Sequence, residues 1–496
     1  MVDDDLDELT SPPLRPPLAQ SAAPRDGEPD ATDLERLRKW QEERIARKLR
    51  GEYESAVLHL SELVNNNLSA PLKLTSVRVE GANHTRKSFL GSIINPLLPP
   101  TSDSDSTLET VLHNTRKISH LLQETDLFSS IEAQLQASPN VLAGAEDVEV
   151  VFKTKEKGRF YLKTSTELGN NEGAASATAR MRNVFGGAET LEANLSFGTK
   201  TRRSFYANLS APVTQSLKTR GELSIFGLDR DNSAYASSTE GLRGAKAAIR
   251  SGTVGSGEHL FTYEAVSRHI GSLTPTASIS MREAAGETFK SSISHTWTRD
   301  TRNDRIAATR GSYLKFLQEY AGLGGDASFY KSEAETQISR HLIPGLSVSF
   351  AAKGGLLWGL SRPTLFSDRF QLGGPQSIRM FRANSMGPRD GSDSLGGDVY
   401  WSTGLSLISD LPRKPHWPLK THLFVNAGRL DTIDKAKPLL ENVVDCISKP
   451  SIAVGVGLIY RFDPVRVELN FGVPLVASKS DGYRKGFQVG MGLDFL

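Results

Sequence analysis

One arginine in a long apolar loop is the residue best suited to a specific chemical contact in this 496-residue chain. Arg379 lies within FQLGGPQSIRMFRANSMGPRDGSD, residues 370–393, where Ile378, Met380 and Phe381 surround it with apolar side chains. A guanidinium in apolar surroundings needs carboxylates or carbonyl oxygens as partners. The chemistry that we predict is therefore a buried ion pair that holds a loop in place, and no covalent reaction.

The rest of the chain gives no support to enzyme chemistry. The ten histidines lack metal-ligand spacing, and the single cysteine, Cys446, excludes an internal disulfide and is interpreted as inert. The GVG at 455–457 and the GMG at 490–492 lie in predicted strands, without the helix that a dinucleotide site requires. We expect no catalytic site, no metal and no cofactor. A net charge of +2 with 23% charged residues also predicts no nucleic-acid binding.

The loop that carries Arg379 is longer than an ordinary connection. Residues from about 359 to 397 read neither as helix nor as strand, whereas most connections have about 4 to 6 residues. Its apolar content is untypical of a solvated linker. The loop is therefore predicted to pack inside a larger structure.

That larger structure is predicted from a strict alternation of apolar and polar residues that begins at Arg159. Examples are LEANLSF at 191–197 and VRVELNF at 465–471. The pattern is typical of a membrane barrel or of a half-buried soluble sheet, and its extent without a convincing helix favours the barrel. At roughly 20 residues per strand and turn, we predict a 16-stranded antiparallel transmembrane β-barrel. Its lumen is too wide for wall side chains to fill, so the loop can fold inward. The predicted strands start near residues 159, 176, 188, 202, 217, 238, 257, 287, 309, 326, 345, 397, 419, 450, 463 and 484.

The residues before the barrel divide into three parts. Residues 1–30 are predicted to be a disordered tail that matches neither a secretory signal nor a mitochondrial presequence. Residues 31–68 have helical periodicity. Two interpretations are open: a solvated amphipathic helix that is broken near Gly51, and a helix that docks on a partner. Residues 72–156 are predicted to form a small β-α-α-β-β domain, either a site for strand addition or a plain spacer. The barrel occupies 157–496.

These features together resemble the outer-membrane β-barrel assembly factor superfamily over about residues 72–496. The nearest resemblance is to its mitochondrial branch, the central barrel subunit of the sorting and assembly machinery. The small domain would then be a polypeptide-transport-associated (POTRA) domain. The loop tetrapeptide Ile378, Arg379, Met380 and Phe381 has methionine where the family usually has glycine. The preceding residues fit the family as loop support: Leu372, Gly373, Gly374 and Ser377.

The resemblance implies that Arg379 reaches acidic groups on the lumenal wall. The strand motif FVNAG at 424–428 has Asn426 in the acidic position, so another carboxylate, such as Glu468, must supply charge. Alternation places both residues on the lumenal face. A second family-like motif, with Asp300, Arg302 and Gly311, is interpreted as a local Asp–Arg pair that stabilises a turn.

The resemblance also implies a function for the two terminal barrel strands. They would form a lateral gate that inserts and folds β-barrel precursors, such as porins and the outer-membrane translocase pore, by strand addition. The gate residues are Phe160, Leu162, Thr164, Thr166 and Leu168 in the first strand, and Gln488, Gly490, Gly492, Leu493 and Phe495 in the last, which fits a barrel sorting signal. We expect an integral protein of the mitochondrial outer membrane, with the small domain in the intermembrane space, cytosol-facing accessory subunits and contact with the lipid bilayer. The alternatives are a passive outer-membrane channel and a polypeptide-translocating secretion or import pore.

Overall fold

The computed structural model describes residues 31–98, 107–139, 144, 146–169, 172–214, 217–411, 417–462 and 465–492. The predicted tail at 1–30 and the gate residues Leu493 and Phe495 lie outside these ranges. The chain divides into two compact units: 1–80, 94–120 and 131–154 form one, and 81–93, 121–130 and 155–496 form the other.

The residues before the large sheet have the predicted order of elements. Two helices, Ala31–Leu49 and Glu52–Asn66, are separated at Gly51, whose φ of 71° interrupts the helical path. A strand at Lys73–Glu80, helices at Lys87–Ile94 and Leu108–Glu124, and strands at Phe128–Ala137 and Asp147–Glu156 follow. The last strand is central in a three-stranded sheet and runs parallel to the first. The assignment of this part as a POTRA domain stays a prediction.

The second unit contains a 16-stranded sheet in which each strand pairs with its neighbours in chain order. The ladders between the described residues of these strands are antiparallel, as predicted. The predicted number of strands is confirmed, and the predicted starts fall within four residues of the observed ones. The strands are β1 Phe160–Gly169, β2 Glu172–Arg182, β3 Thr190–Gly198, β4 Thr201–Pro212, β5 Thr219–Asp231, β6 Thr239–Thr253, β7 Gly257–Gly271, β8 Gly286–Asp300, β9 Gly311–Gly325, β10 Phe329–Ile343, β11 Leu346–Gly359, β12 Val399–Asp410, β13 Leu419–Asp431, β14 Ser451–Phe462, β15 Val465–Val476 and β16 Gly486–Gly492.

The two faces of this sheet have the reverse of the polarity found in water-soluble sheets. In β13, Leu423 and Val425 are 54% and 47% exposed, whereas the alternating polar residues His422 and Asn426 are buried. Because period two sends neighbours to opposite faces, one face is apolar and exposed and the other is polar and covered. This arrangement is typical of strands whose outer face meets lipid. We call the covered face the lumenal face.

The two edge strands of the sheet come close without pairing. β1 and β16 approach to within 8 Å at their Cα atoms. No ladder joins them in the part of the chain that the structure describes, so β1 and β16 remain the two ends of the sheet.

The predicted long loop joins β11 to β12. It contains a short 3₁₀ turn at Phe366–Asp368 and a two-residue hairpin at Arg389–Asp390 and Asp393–Ser394. Its apolar side chains form a core cluster with residues of the lumenal face, including Phe424, Leu430 and Ala453. The loop therefore covers that face of the sheet.

A helix at Leu439–Ser448 lies in the connection between β13 and β14. The backbone carbonyl of Cys446 in this helix accepts a hydrogen bond from the Trp401 indole at 3.1 Å. The Cys446 sulfur is buried 3.9 Å from the carbonyl oxygens of Val399 and Arg429. Among the described residues, no helix is both long enough and apolar enough to span a membrane.

Candidate loop-docking site

Arg379 is completely buried and binds two strands of the sheet. Its Nε and Nη2 atoms donate to the two carboxylate oxygens of Glu468 at 2.8 and 3.0 Å, and Nη1 donates to Asn426 Oδ1 at 3.2 Å. The guanidinium carbon lies 5.2 Å from the centre of the Phe424 ring. The structure thus brings together the three residues that the sequence suggested, with β13 and β15 as their supports.

Glu468 is shared by two guanidiniums. Besides Arg379, its carboxylate accepts from Arg466, two residues earlier on the same face of β15. It also accepts from Asn470 Nδ2 at 2.8 Å. A bidentate, charge-assisted contact of this kind fixes both distance and orientation. Since burial leaves no water to replace these partners, the carboxylate is what allows the guanidiniums to be buried.

Asn426 contributes only part of what an acidic residue would. Its oxygen accepts from Arg379, but its buried Nδ2 atom has no hydrogen-bond partner in the structure. Such an orphaned group costs about 1–3 kcal/mol. The negative charge at this site therefore lies on β15, two strands away from the family's usual acidic position on β13.

Met380 has the backbone conformation that favours glycine. Its φ is 68°, which costs a non-glycine residue about 1–2 kcal/mol. Its side chain, however, is completely buried in the cluster between loop and sheet. Burial of a methionine in a core is worth about 2–5 kcal/mol, as judged from truncation to alanine. Packing therefore outweighs strain and accounts for methionine at this position.

The residues predicted to support the loop form its internal turns. Gly373 and Gly374 have φ values of 107° and 118°, and a Cβ on Gly373 would lie 2.6 Å from the Arg382 carbonyl oxygen. Ser377 Oγ accepts from the Gly373 N–H at 3.1 Å. The Leu372 carbonyl accepts from the Met386 N–H at 3.1 Å. These bonds fold the loop back on itself on both sides of the tetrapeptide.

The loop is also bonded to β16 and to the residues just before it. The Gln488 side chain accepts from the Met380 N–H and donates to the Phe381 carbonyl, both at 3.0 Å. The Arg484 N–H donates to the Met380 carbonyl, and the Arg382 N–H donates to the Gly482 carbonyl, each at 2.8 Å. Phe381 and Tyr483 therefore form an isolated antiparallel bridge between the loop and the residues just before β16.

The predicted gate residues of β1 and β16 differ in their surroundings. Phe160 and Leu162 are 77% and 74% exposed, and Thr164 and Thr166 are exposed as well. The side chain of Leu168 is not among those described. In β16, by contrast, Gln488 and Gly490 are buried, and Gln488 is bonded to the loop; Gly492 ends the strand. The contacts of the loop that are described above are thus made to β16 and not to β1.

The predicted turn motif lies in the connection from β8 to β9. Arg302 donates to both carboxylate oxygens of Asp300, at 3.0 and 2.8 Å. Gly311 has a φ of 105°, and a Cβ there would lie 2.3 Å from the Thr301 carbonyl oxygen. Arg302 Nη1 also donates to Gln337 Oε1 of β10 at 2.5 Å, so the pair joins this turn to the sheet. Arg466 links the turn to the loop-docking site, because its Nη1 donates to the Ile306 carbonyl at 3.2 Å.

Two contacts of this site were not predicted. Arg466 could have been found from its position two residues before Glu468, because period two places both on one face. Gln376 donates through Nε2 to the Met491 carbonyl of β16 at 2.8 Å. No periodicity in the loop indicates that contact.

Comparison with known proteins agrees with this architecture. Residues 183–495 match the Omp85 superfamily domain. A SAM50-like protein of Schizosaccharomyces pombe is 36% identical over 452 residues, covering 89% of this chain and 95% of that protein. The human sorting and assembly machinery component 50 homolog is 32% identical over 397 residues, covering 78% of this chain and 83% of that protein.

Among solved structures, BamA from Haemophilus ducreyi lacking POTRA domains 1–3 superposes with a TM-score of 0.70. It is 16% identical and covers 85% of this chain and 84% of that chain, so it supports the fold alone. The fold, the docked loop and the domain match define a β-barrel protein of the Omp85 class. The chain belongs to the Omp85 superfamily and, within it, to the SAM50-like proteins.

Proposed function

We propose that this protein inserts and folds β-barrel precursors in the mitochondrial outer membrane through a lateral gate between β1 and β16. The human relative is named as a sorting and assembly machinery component homolog, and the Schizosaccharomyces pombe relative as a SAM50-like protein, which supports a role in assembly of membrane barrels. The precursor's last strand would be recognised by strand addition. No covalent step is required, and among the described residues no cluster of His, Cys, Asp and Glu could hold a metal.

The observation that carries this proposal is the unpaired approach of β1 and β16. Two strand edges within 8 Å of each other lack a ladder in the described residues. Unpaired N–H and C=O groups cost several kcal/mol each in a bilayer, so such edges favour pairing with an added strand. Backbone hydrogen bonds would supply affinity, and the alternating side chains would supply selection.

The exposure of β1 makes it the better acceptor for an incoming strand. Both faces of its first half are exposed, as Phe160, Tyr161 and Leu162 illustrate. β16, in contrast, has its lumenal face fastened to the loop through Gln488. A precursor strand would therefore displace β16 from β1, and later hairpins would follow at the same edge.

The docked loop would hold β16 during this exchange. Arg379 anchors the loop to β13 and β15, and Gln488 fastens it to β16. These contacts lie on the lumenal face of the sheet. They can therefore stay intact when the edge of β16 that faces β1 separates from β1. The small N-terminal domain is proposed to lie in the intermembrane space, and accessory subunits to bind on the cytosolic side.

The test is to lock the gate with disulfides. The natural Cys446 is first replaced by serine, and cysteine pairs are then placed with one member in β1 and one in β16. Oxidation should stop the formation of protease-resistant barrels from added precursor in isolated outer membranes, and reduction should restore it. Unimpaired insertion with a quantitatively formed disulfide would overturn the lateral gate.

A matched control joins strands that are not expected to separate. Leu469 and Val489 are directly opposite in the ladder of β15 and β16, and both side chains are partly exposed on the outer face. A Leu469→Cys, Val489→Cys pair should crosslink without affecting precursor insertion. Large steady conductance in planar bilayers without precursor binding would instead favour a passive channel, and crosslinking to soluble cargo would favour a secretion or import pore.

A further inference from the structure

The contact between Gln376 and Met491 lies at the proposed gate. Gln376 precedes the loop tetrapeptide, and its Nε2 atom lies 2.8 Å from the Met491 carbonyl oxygen. Whether this carbonyl points into the sheet or toward the gate decides what the contact does. The direction follows from the hydrogen-bond pattern of the last four strands.

In an antiparallel ladder, the N–H and C=O of one residue point to the same neighbouring strand, and those of the next residue point to the opposite side. The Arg461 N–H donates to the Pro418 carbonyl, so the backbone groups of Arg461 point from β14 toward β13. Those of its neighbour Tyr460 therefore point toward β15, where Tyr460 is paired with Val467. The backbone groups of Val467 in turn point toward β14.

The same alternation continues to the edge of the sheet. Because the backbone groups of Val467 point to β14, those of Glu468 point to β16, where Glu468 is paired with Gly490. The N–H and C=O of Gly490 therefore point to β15. Those of its neighbours Val489 and Met491 point away from β15, toward β1. The ladder of β15 and β16 has no register shift that would reverse this result. The carbonyl that Gln376 binds thus belongs to the free edge of β16.

We infer that Gln376 stabilises the separated state of the gate by giving the edge of β16 a hydrogen-bond partner from the lumenal loop. This inference rests on the proposed lateral opening and names a positioning residue for it. A carbonyl that leaves β1 would be costly in a lipid environment without another donor. The side-chain amide of Gln376 is such a donor, and it moves with the loop that Gln488 fastens to the same strand.

The experiment compares Gln376→Met, which keeps a flexible side chain of similar size but has no donor, with the natural protein in nanodiscs. Residue-resolved hydrogen exchange is measured at the amides of β16. Loss of one hydrogen bond, worth about 1 kcal/mol, should shift the gate about fivefold toward pairing with β1. The amides of Val489 and Met491 should then exchange more slowly, by at most about fivefold, because they point to β1. The amide of Gly490, which points to β15, should be unchanged.

Gln371→Met is the matched control, because it makes the same change in the same loop at a side chain whose Oε1 atom has no hydrogen-bond partner. It should leave all β16 amides unchanged. Faster or unchanged exchange at Val489 and Met491 in Gln376→Met would overturn the inference.

A second readout separates the inference from the proposed function. The affinity of a peptide copying a precursor's last strand should fall in Gln376→Met, by at most about fivefold, because fewer gates are open. If the natural protein binds no such peptide, the proposed function fails, while the exchange measurement still decides the role of Gln376. A tighter affinity in the variant would mean that Gln376 competes with the precursor, and would also overturn the inference.

Discussion

Replacement of Glu468 by glutamine should destabilise the folded barrel more than any other single polar substitution at the docking site. The change preserves size and one acceptor oxygen but removes a carboxylate that is bonded to both Arg379 and Arg466. Two buried guanidiniums would then lose the negative charge that they share. The loop would lose its main attachment to β15.

The magnitude follows from the burial of this pair. Removal of one partner from a buried ion pair costs about 3–5 kcal/mol, because the other charge stays buried. Asn426 still accepts from Arg379, and Ile306 still accepts from Arg466. We therefore expect a loss near the lower bound, about 3 kcal/mol, in the free energy of unfolding.

The assay is urea-induced unfolding in detergent micelles, followed by tryptophan fluorescence and by heat-modifiable gel mobility. A double-mutant cycle with Arg379→Gln should give a coupling free energy of at least about 1.5 kcal/mol, since the two changes remove the same contact. The control is the exposed pair of Lys437 and Asp445, whose charged atoms lie 3.0 Å apart. Its loss should have no measurable effect. A cost below about 1 kcal/mol for Glu468→Gln, with no coupling, would refute the reasoning.

Three further predictions follow from local features. Met380→Gly should lower the free energy of unfolding by about 1–3 kcal/mol, because lost burial exceeds relieved strain; a more stable variant in the same urea assay would contradict this. Burial raises the pKa of the Cys446 thiol to about 12, so maleimide should label the folded protein at pH 8 far more slowly than the unfolded protein, and equal rates would contradict this. Burial alone would raise the pKa of Glu156, but hydrogen bonds from Thr85 and His84 outweigh it and leave the pKa below its ordinary 4.5. Its stabilising contribution is therefore complete above pH 4.5 and is lost as pH falls through the lowered value, so Glu156→Gln should flatten the acid side of a proteolysis-versus-pH profile; an unchanged profile would exclude this role.

The strands could be predicted from the sequence because period two is a local signal. Each strand of the large sheet carries its own alternation, and the predicted starts differ from the observed ones by at most four residues. The partner of Arg379 could be predicted for a related reason. A buried guanidinium requires a carboxylate, and alternation places Glu468 on the lumenal face.

The contacts of the loop with β16 could not be predicted in this way. The Gln376 amide reaches a backbone carbonyl, and every residue has one, so residue type does not identify the partner. The pairing of the tetrapeptide with residues 482–484 depends on the path of the whole loop, which has no repeating pattern. The methionine in place of the family's usual glycine is visible in the sequence, but only the structure gives the φ of 68° at Met380 and the burial that compensates for it.

The long separation in sequence between the loop and its partners has a consequence for the biogenesis of this protein. Arg379 is 89 residues before Glu468, and Met380 is 108 residues before Gln488. During synthesis, the loop therefore exists well before the strands that bind it. Contacts so distant in sequence form late in folding, because they require the intervening chain to be ordered first. Docking of Arg379 would thus mark a nearly completed sheet, and an undocked, protease-sensitive loop would identify chains in which β15 or β16 has not yet been added.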